Sequence, residues 1–210
     1  MYVTSRLLRV SSGAAMPQAV GFVAWLLAHL NDTHHTQFSA GVNVGGDPGV
    51  IGVTGRFESL ADYQAFIGAL AEDAEYRGAL GLSGPLFAGA EDTIWRVRLA
   101  SDDMDPTLGF SAVDSVRIDL AHMVDAVAFA AECREVVTSI TGRPSALVTA
   151  VTGARDRLLW VGHASSLAEL EQARTELEAD EKYLELFKRS EGLFREGSLE
   201  TVIWQRVFPA

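Results

Sequence analysis

The sequence is poor in cysteine, with Cys133 alone among 210 residues, so no disulfide can form within the chain. Disulfide-dense secreted scaffolds are therefore excluded, and a reducing, cytoplasmic location is expected. Cys133 lies in an apolar segment with helical periodicity, a setting typical of a buried thiol rather than a nucleophile. The first residues lack a basic start followed by a long apolar run, so no secretion signal is expected.

Basic residues are also scarce, since 17 lysines and arginines stand against 28 aspartates and glutamates, which gives a net charge of −11. No basic cluster stands out, so nucleic acid is not an expected partner. The apolar segment 19–30 is shorter than the roughly 20 residues that a membrane-spanning helix needs, so no membrane contact is expected.

Motifs for cofactors and metals are missing from the sequence. The glycine-rich segment 45–49 joins two predicted strands, so it indicates a hairpin turn and not a phosphate-binding loop. His34 and His35 are adjacent, but no acidic or cysteine partner lies at the helical spacing of a motif such as HExxH. We therefore predict neither a cofactor nor a bound metal.

The strongest positive feature is an internal repeat at an offset of 107 positions (166 − 59 = 107). The offset becomes 109 at the last matched pair (204 − 95 = 109), which indicates a two-residue insertion. We predict two similar repeats, residues 1–100 and 113–210, joined by a polar linker at 101–112. The matched pairs are Gly55/Gly162, Ser59/Ser166, Leu60/Leu167, Ala61/Ala168, Asp73/Asp180, Tyr76/Tyr183, Leu86/Leu193, Phe87/Phe194 and Trp95/Trp204.

Apolar periodicity predicts the order β-α-β-β-α-β in each repeat. This is the ferredoxin-like motif, an α+β unit with two helices on one face of a four-stranded antiparallel sheet. The other sheet face needs a cover, which a second sheet can supply. The predicted elements of the first repeat are strand 4–10, a helix from Met16 to 31–33, strands 37–44 and 50–57, helices from Ser59 and over 73–80, and strand 93–99. Those of the second are strand 113–120, helix 123–140, strands 146–151 and 158–163, a helix capped by Ser166, and strand 202–208.

Each repeat resembles a unit of the dimeric α/β-barrel superfamily, which includes antibiotic-biosynthesis monooxygenases and NIPSNAP-like proteins. The resemblance lies in the strand-to-helix steps 55–61 and 162–168 and in the Asp/Tyr pairs that follow them. It implies two ferredoxin-like repeats whose antiparallel sheets pack together as an intramolecular dimeric α/β barrel. The expected assembly is a monomer that acts as a pseudo-dimer, or a homodimer.

Two polar residues at equivalent strand positions are the predicted catalytic residues. Arg56 aligns with His163 (163 − 56 = 107), each near the end of the third strand of its repeat. An arginine can hold a carboxylate or an enolate oxygen, and a histidine can transfer a proton. The alternative is that both side chains reach solvent at strand ends.

The tryptophans provide a second set of candidates. Large aromatic side chains commonly fill a core or the seam between repeats. The resemblance implies instead an aromatic pocket for a flat organic ligand, with asparagine, tryptophan and histidine side chains around it. The predicted ligand-binding residues are Trp95, Trp204, Trp160, Asn43 and His34.

Two functions are consistent with these residues. The first is that the chain binds or transforms a small organic molecule, aromatic or anionic, in a barrel pocket and without a bound cofactor, as a monooxygenase-like protein. The alternative is a non-catalytic structural or protein-interaction barrel.

Overall fold

The computed structural model describes residues 1–105 and 107–208. The helices and strands of the first repeat are β1 (Tyr2–Val10), α1 (Met16–His34), β2 (Ser39–Gly45), β3 (Val50–Phe57), α2 (Leu60–Glu72), α3 (Ala74–Ser83) and β4 (Phe87–Leu99). Those of the second repeat are β5 (Phe110–Arg117), α4 (Met123–Thr141), β6 (Ser145–Ala150), β7 (Arg157–Ala164), α5 (Leu167–Ala179), α6 (Glu181–Arg189) and β8 (Glu200–Phe208).

The eight strands close into a barrel in the order β1-β3-β2-β8-β5-β7-β6-β4. Strand β3 is antiparallel to both β1 and β2, and β7 is antiparallel to both β5 and β6. Each repeat thus contains the predicted order of elements, and the predicted α+β class with an intramolecular barrel is confirmed.

The sequence repeat is also a structural repeat. Helices α1 and α4 begin and end 107 positions apart (123 − 16; 141 − 34), and so do strands β3 and β7 (157 − 50; 164 − 57). The chain divides into two compact units, which we call the first unit (Met1–Trp95 with the chain from Gln205) and the second unit (Arg96–Trp204). Strand β4 therefore begins in the first unit and ends in the second, whereas β8 begins in the second unit and ends in the first. The repeat boundaries at 100 and 113 stay a prediction, and β5 begins inside the predicted linker.

The core of the first unit lies between α1, α2 and one face of its sheet. On β3, alternate residues Ile51, Val53 and Phe57 belong to this core, so they define the helix face of the strand. The residues between them, Gly52, Thr54 and Arg56, lie on the opposite face, which we call the open face. Helix α1 contributes Ala19, Val23, Leu27 and Leu30 to the core, at the spacing of one helical stripe.

Helix α1 ends later than predicted. The expectation that residues 31–33 end it is wrong, because the helix continues to His34 and is closed by His35 in a left-handed conformation (φ 52°). The Asn31 side chain does not stop the helix. It donates to the carbonyl oxygen of Phe38 and accepts from the Phe38 backbone N–H, so it holds the loop that leads into β2. His34 is thereby placed on the last helical turn.

The helical segment Gly13–His34 is long and apolar enough to cross a membrane, judged by length and composition alone. The expectation drawn from residues 19–30 therefore underestimated the apolar length of this segment. Its buried stripe packs into the core of the first unit, which is the pattern of a helix that lies on a sheet.

Strand β5 ends at Arg117 and not at residue 120 as predicted. Asp119 accepts a hydrogen bond from the backbone N–H of Ala121, which starts a short 3-10 turn at Leu120–His122. This turn leads directly into helix α4, whose buried residues Ala126 and Ala130 pack in the core of the second unit.

Cys133 lies half-buried on α4, and burial raises the pKa of its thiol to about 12. Because only the thiolate is nucleophilic, we expect the native protein to react with a disulfide reagent at pH 8 far more slowly than free cysteine. Thiol titration before and after unfolding in guanidinium should show one group that reacts rapidly only after unfolding. Rapid reaction of the native protein would contradict the placement of this thiol.

The start of helix α5 makes the second unit sensitive to acid. The Arg143 guanidinium and the backbone N–H of Ser165 each lie 2.9 Å from the Glu169 carboxylate, and these hydrogen bonds lower the pKa of Glu169 to about 2. The usual pKa of a glutamate is about 4.3. A pKa that is lower in the folded state adds stability above pH 4.3, approximately, and this stability is lost as the pH falls toward 2.

We therefore expect Glu169→Gln to lower the midpoint of urea denaturation at pH 7. The difference in midpoint between the variant and the wild type should become smaller below about pH 4. Glu171→Gln is the matched control, because Glu171 is exposed on the same helix and makes no side-chain hydrogen bond or ion pair within the described residues. Equal pH profiles for Glu169→Gln and the control would show that the Arg143 contact contributes nothing.

Candidate functional site

The first unit contains an open cleft of about 630 Å³ between the loop after α1, the end of β3 and the first turns of α2. Two of the predicted site residues, His34 and Arg56, line this cleft although they lie on different elements. The other lining residues used below are Phe57, Glu58, Asp62 and Phe66.

Arg56 is an exposed residue on the open face of β3, paired across the sheet with Val3 of β1. Within residues 1–105 and 107–208, its guanidinium has no hydrogen bond and no ion pair. Several other arginines are paired with carboxylates, such as Arg6 with Asp92 at 2.7 Å. Arg56 therefore presents a guanidinium without a direct partner to the cleft, within the described residues.

His34 belongs to a small polar cluster with His29 and Asp73. The same oxygen of the Asp73 carboxylate, Oδ2, lies 2.8 Å from Nε2 of His29 and 2.9 Å from Nε2 of His34. All three side chains are largely buried, with exposed fractions of 14% for His29, 13% for His34 and 7% for Asp73. We call these three residues the His-Asp-His cluster.

Asp73 is held in place by its second role as the N-cap of helix α3. Its Oδ1 accepts the backbone N–H of Tyr76 at 2.9 Å, which leaves Oδ2 for the two histidines. The Tyr76 backbone N–H, followed by His34 and His29, keeps the pKa of the Asp73 carboxyl well below its usual range. The carboxylate is thus fixed as an acceptor on both sides.

Phe66 of α2 forms an aromatic wall between the cleft and the core. Its ring lies edge-on to the His34 ring with 5.8 Å between centroids, and it contacts Phe57 at 5.4 Å and Phe38 at 5.3 Å. The wall is rigid because Phe66 itself is buried in the core cluster. The cleft therefore combines an apolar aromatic surface with the Arg56 cation.

Asn43 and Trp95 lie elsewhere in the first unit and do not line this cleft. Trp95 is buried and donates its indole N–H to Ser5 Oγ at 2.7 Å. Asn43 is buried at the end of β2, where its Oδ1 accepts the backbone N–H of Gly45 at 3.2 Å. The structure therefore brings His34 and Arg56 together and leaves Asn43 and Trp95 apart from them.

The remaining candidates lie in the second unit. His163 is on β7, and its Nδ1 lies 2.8 Å from Ser111 Oγ on the neighbouring strand β5. Trp160 packs against the core of this unit and donates its indole N–H to the carbonyl oxygen of Ala130 at 2.9 Å. Trp204 is half-buried on β8.

His29 and Phe66 were not among the predicted site residues, and Asp73 was identified only as a matched residue of the repeat. In the structure, Asp73 both caps α3 and accepts hydrogen bonds from the two histidines. A comparison of the repeats offered a signal, since His29 and His34 correspond to Val136 and Thr141 (136 − 29 = 107; 141 − 34 = 107). The two histidines are thus specific to the first repeat.

Neither a protein-family model nor a curated protein matches the sequence. Solved structures do match it. A "putative monooxygenase" from Fusobacterium nucleatum has a TM-score of 0.72 at 7% identity and covers 98% of this chain and 92% of its own. A "putative monooxygenase" from Lactobacillus acidophilus has a TM-score of 0.70 at 10% identity and covers 100% of this chain and 95% of its own.

An anthrone oxidase-like protein has a TM-score of 0.68 at 12% identity and covers 98% of this chain and 90% of its own. Identities this low show likeness of fold and not of activity. The matches nevertheless extend over nearly the whole chain, so both repeats share the fold of these proteins. The chain therefore has the fold of these proteins, in which two ferredoxin-like repeats contribute the eight strands of one closed barrel.

Proposed function

We propose that the cleft of the first unit binds a small organic molecule with one anionic oxygen and a flat apolar body. The observation that carries this proposal is the exposed Arg56 guanidinium, which has no partner within the described residues and lines the same cleft as Phe66. A planar guanidinium can donate two parallel hydrogen bonds to a carboxylate, an enolate or a phenolate.

The charge around the cleft limits the kind of anion. Glu58 and Asp62 also line it, and the Asp62 carboxylate already accepts the N–H and the hydroxyl of Ser59. These carboxylates repel a multiply charged group such as a phosphate. A singly charged oxygen, delocalised over an aromatic ring or a carboxylate, is the better fit.

The size and walls of the cleft suit an aromatic body. Its volume of about 630 Å³ lies within the usual range of small-molecule sites, which is about 300–1,000 Å³. Phe66 and Phe57 line the same cleft as Arg56 and supply apolar surface there. We infer that a ring bound in the cleft turns its acidic oxygen toward the guanidinium.

The expected reaction is the oxidation of an acidic methylene group by molecular oxygen without a bound cofactor. The two C–H bonds are replaced by a carbonyl, one oxygen atom enters the product, and the other leaves as water with the two hydrogens, so the substrate supplies all four electrons. Arg56 would stabilise the electron-rich anion that forms when such a substrate loses a proton. Because similar solved structures include two called "putative monooxygenase" and one called anthrone oxidase-like, the substrate panel should contain aromatic carboxylates, polycyclic phenols and anthrones.

Calorimetric titration of this panel into the wild type and into Arg56→Ala tests the binding, and oxygen uptake tests the reaction. Loss of hydrogen bonds to a charged group costs about 1.5–3 kcal/mol, so affinity should fall roughly 10- to 100-fold. Arg155→Ala is the matched control, because Arg155 is also exposed, lies in the second unit and has no partner within the described residues.

Equal affinity of Arg56→Ala and the wild type would contradict the proposal. If the folded wild type bound no member of the panel, the non-catalytic structural or interaction barrel would be the better interpretation.

A further inference from the structure

We propose that the His-Asp-His cluster of the first unit binds one divalent transition-metal ion. Its three donor atoms, one from each residue, all lie within 4.8 Å of one another. This inference goes beyond the proposed function, because the binding of an organic anion by Arg56 requires no ion. It also departs from the sequence analysis, which predicted no bound metal.

The donor set determines the kind of ion. Two imidazole nitrogens and one carboxylate oxygen suit Zn²⁺ and neighbouring first-row metals, whereas Ca²⁺ and Mg²⁺ prefer sites made of oxygen alone. Zinc bonds to these atoms are about 2.0–2.1 Å, so the ligands of a tetrahedral site lie roughly 3.4 Å apart. The separations of 2.8 and 2.9 Å from Asp73 Oδ2 need to open by only about half an ångström.

The ion would replace the hydrogen bonds inside the cluster. The Asp73 oxygen faces the Nε2 atoms of both histidines, which donate protons to it. A metal ion would bind at these Nε2 atoms, and in a neutral imidazole the proton moves to Nδ1, so that the ring keeps one N–H and offers the Nε2 lone pair to the ion. The three donor side chains are already in contact, so no further residue has to move into the site.

The surroundings can orient and complete the site. Oε2 of Glu75 lies 3.4 Å from the other ring nitrogen of His29, Nδ1, which is the carboxylate–histidine arrangement that commonly fixes a metal-binding imidazole. His34 lines the cleft, so water or a ligand oxygen from the cleft can approach the ion. Three protein ligands with one accessible position is the pattern of a reactive zinc site rather than of a closed structural site.

The second repeat shows that the cap does not need the histidines. Asp180, the equivalent of Asp73, caps α6 by accepting the backbone N–H groups of Lys182 and Tyr183. Val136 and Thr141 occupy the places of the two histidines there. The two histidines are therefore not needed for the cap. We infer that their role is to bind the metal ion.

The test uses the full chain after removal of metals with a chelator. We expect calorimetric titration with Zn²⁺ to show one ion bound per chain, and Co²⁺ to give a visible absorption band at the same stoichiometry. His29→Gln and Asp73→Asn should weaken Zn²⁺ binding by more than the roughly 10- to 100-fold that follows loss of an orienting partner. Asp73→Asn retains an oxygen for the Tyr76 cap, so its fold should survive.

Two matched controls should bind Zn²⁺ as the wild type does. Asp180→Asn changes the equivalent cap of the second repeat, and His122→Gln removes an exposed histidine at the start of α4. Arg56→Ala should also retain the ion, which separates this inference from the proposed function. The inference is overturned if the wild type takes up no stoichiometric Zn²⁺, or if His29→Gln and Asp73→Asn bind it as tightly as the wild type.

Discussion

Gly55→Ala lowers the free energy of unfolding by about 1–3 kcal/mol, the usual cost of extra volume in a well-packed core. A Cβ at this position would lie 2.3 Å from Cε1 and 2.6 Å from Cδ1 of the Phe38 ring. Phe38 cannot swing away easily, because it is buried and packed between Phe57 and Phe66. The glycine therefore sets how closely the ring lies on β3.

The repeat supplies the control for this substitution. Gly162 is the matching residue of the second repeat, and a Cβ there would meet no heavy atom within 4 Å in the part of the chain that the structure describes. Gly162→Ala should change stability by less than about 0.5 kcal/mol. Urea denaturation followed by circular dichroism measures both variants, and similar losses would contradict the packing described around Phe38.

Trp95→Ala lowers the free energy of unfolding by about 3–5 kcal/mol, as is usual for the removal of a buried tryptophan. Trp95 is only 4% exposed, and its indole N–H donates to Ser5. Its matched residue Trp204 is half-buried, so Trp204→Ala should cost clearly less. This comparison separates a core role for Trp95 from the ligand-binding role that the sequence suggested.

Trp95→Phe distinguishes the two roles further, because it keeps most of the buried apolar surface and removes only the donor to Ser5. We expect Trp95→Phe to lower the free energy of unfolding by about 1–3 kcal/mol, because the Ser5 hydroxyl loses its donor and some packing contacts are lost. If Trp95→Ala unfolded as the wild type does and lost only ligand affinity, Trp95 would be a pocket residue and not part of the core.

Much of the fold could be predicted because its signals are local. Ser59 and Ser166 were identified as helix N-caps, and both accept the backbone N–H three residues on. The bounds of β3 were predicted without error, since a strong turn precedes it and a cap follows it. By contrast, the end of α1 was predicted too early. The Asn31 side chain bonds to the backbone of Phe38, seven residues on, and does not end the helix.

The site was harder to predict because it depends on contacts between distant parts of the chain. Asp73 meets His29 across 44 positions and His34 across 39, so no spacing rule could pair them. Arg56 was singled out because it interrupts an otherwise matched repeat, and His34 because of its residue type. Both line the cleft, whereas Asn43 and Trp95, which residue type had also suggested, do not. Residue types alone do not determine which side chains meet.

We propose that the first unit holds a ligand site that the equivalent region of the second lacks. Amide chemical-shift mapping on the labelled chain, with the tightest-binding member of the aromatic acid panel, is the decisive measurement. We expect shifts at residues 34–37, 56–58 and 62–69, which surround the cleft. Shifts confined to the equivalent residues 141–144 and 163–165 (34 + 107 = 141; 56 + 107 = 163) would contradict it.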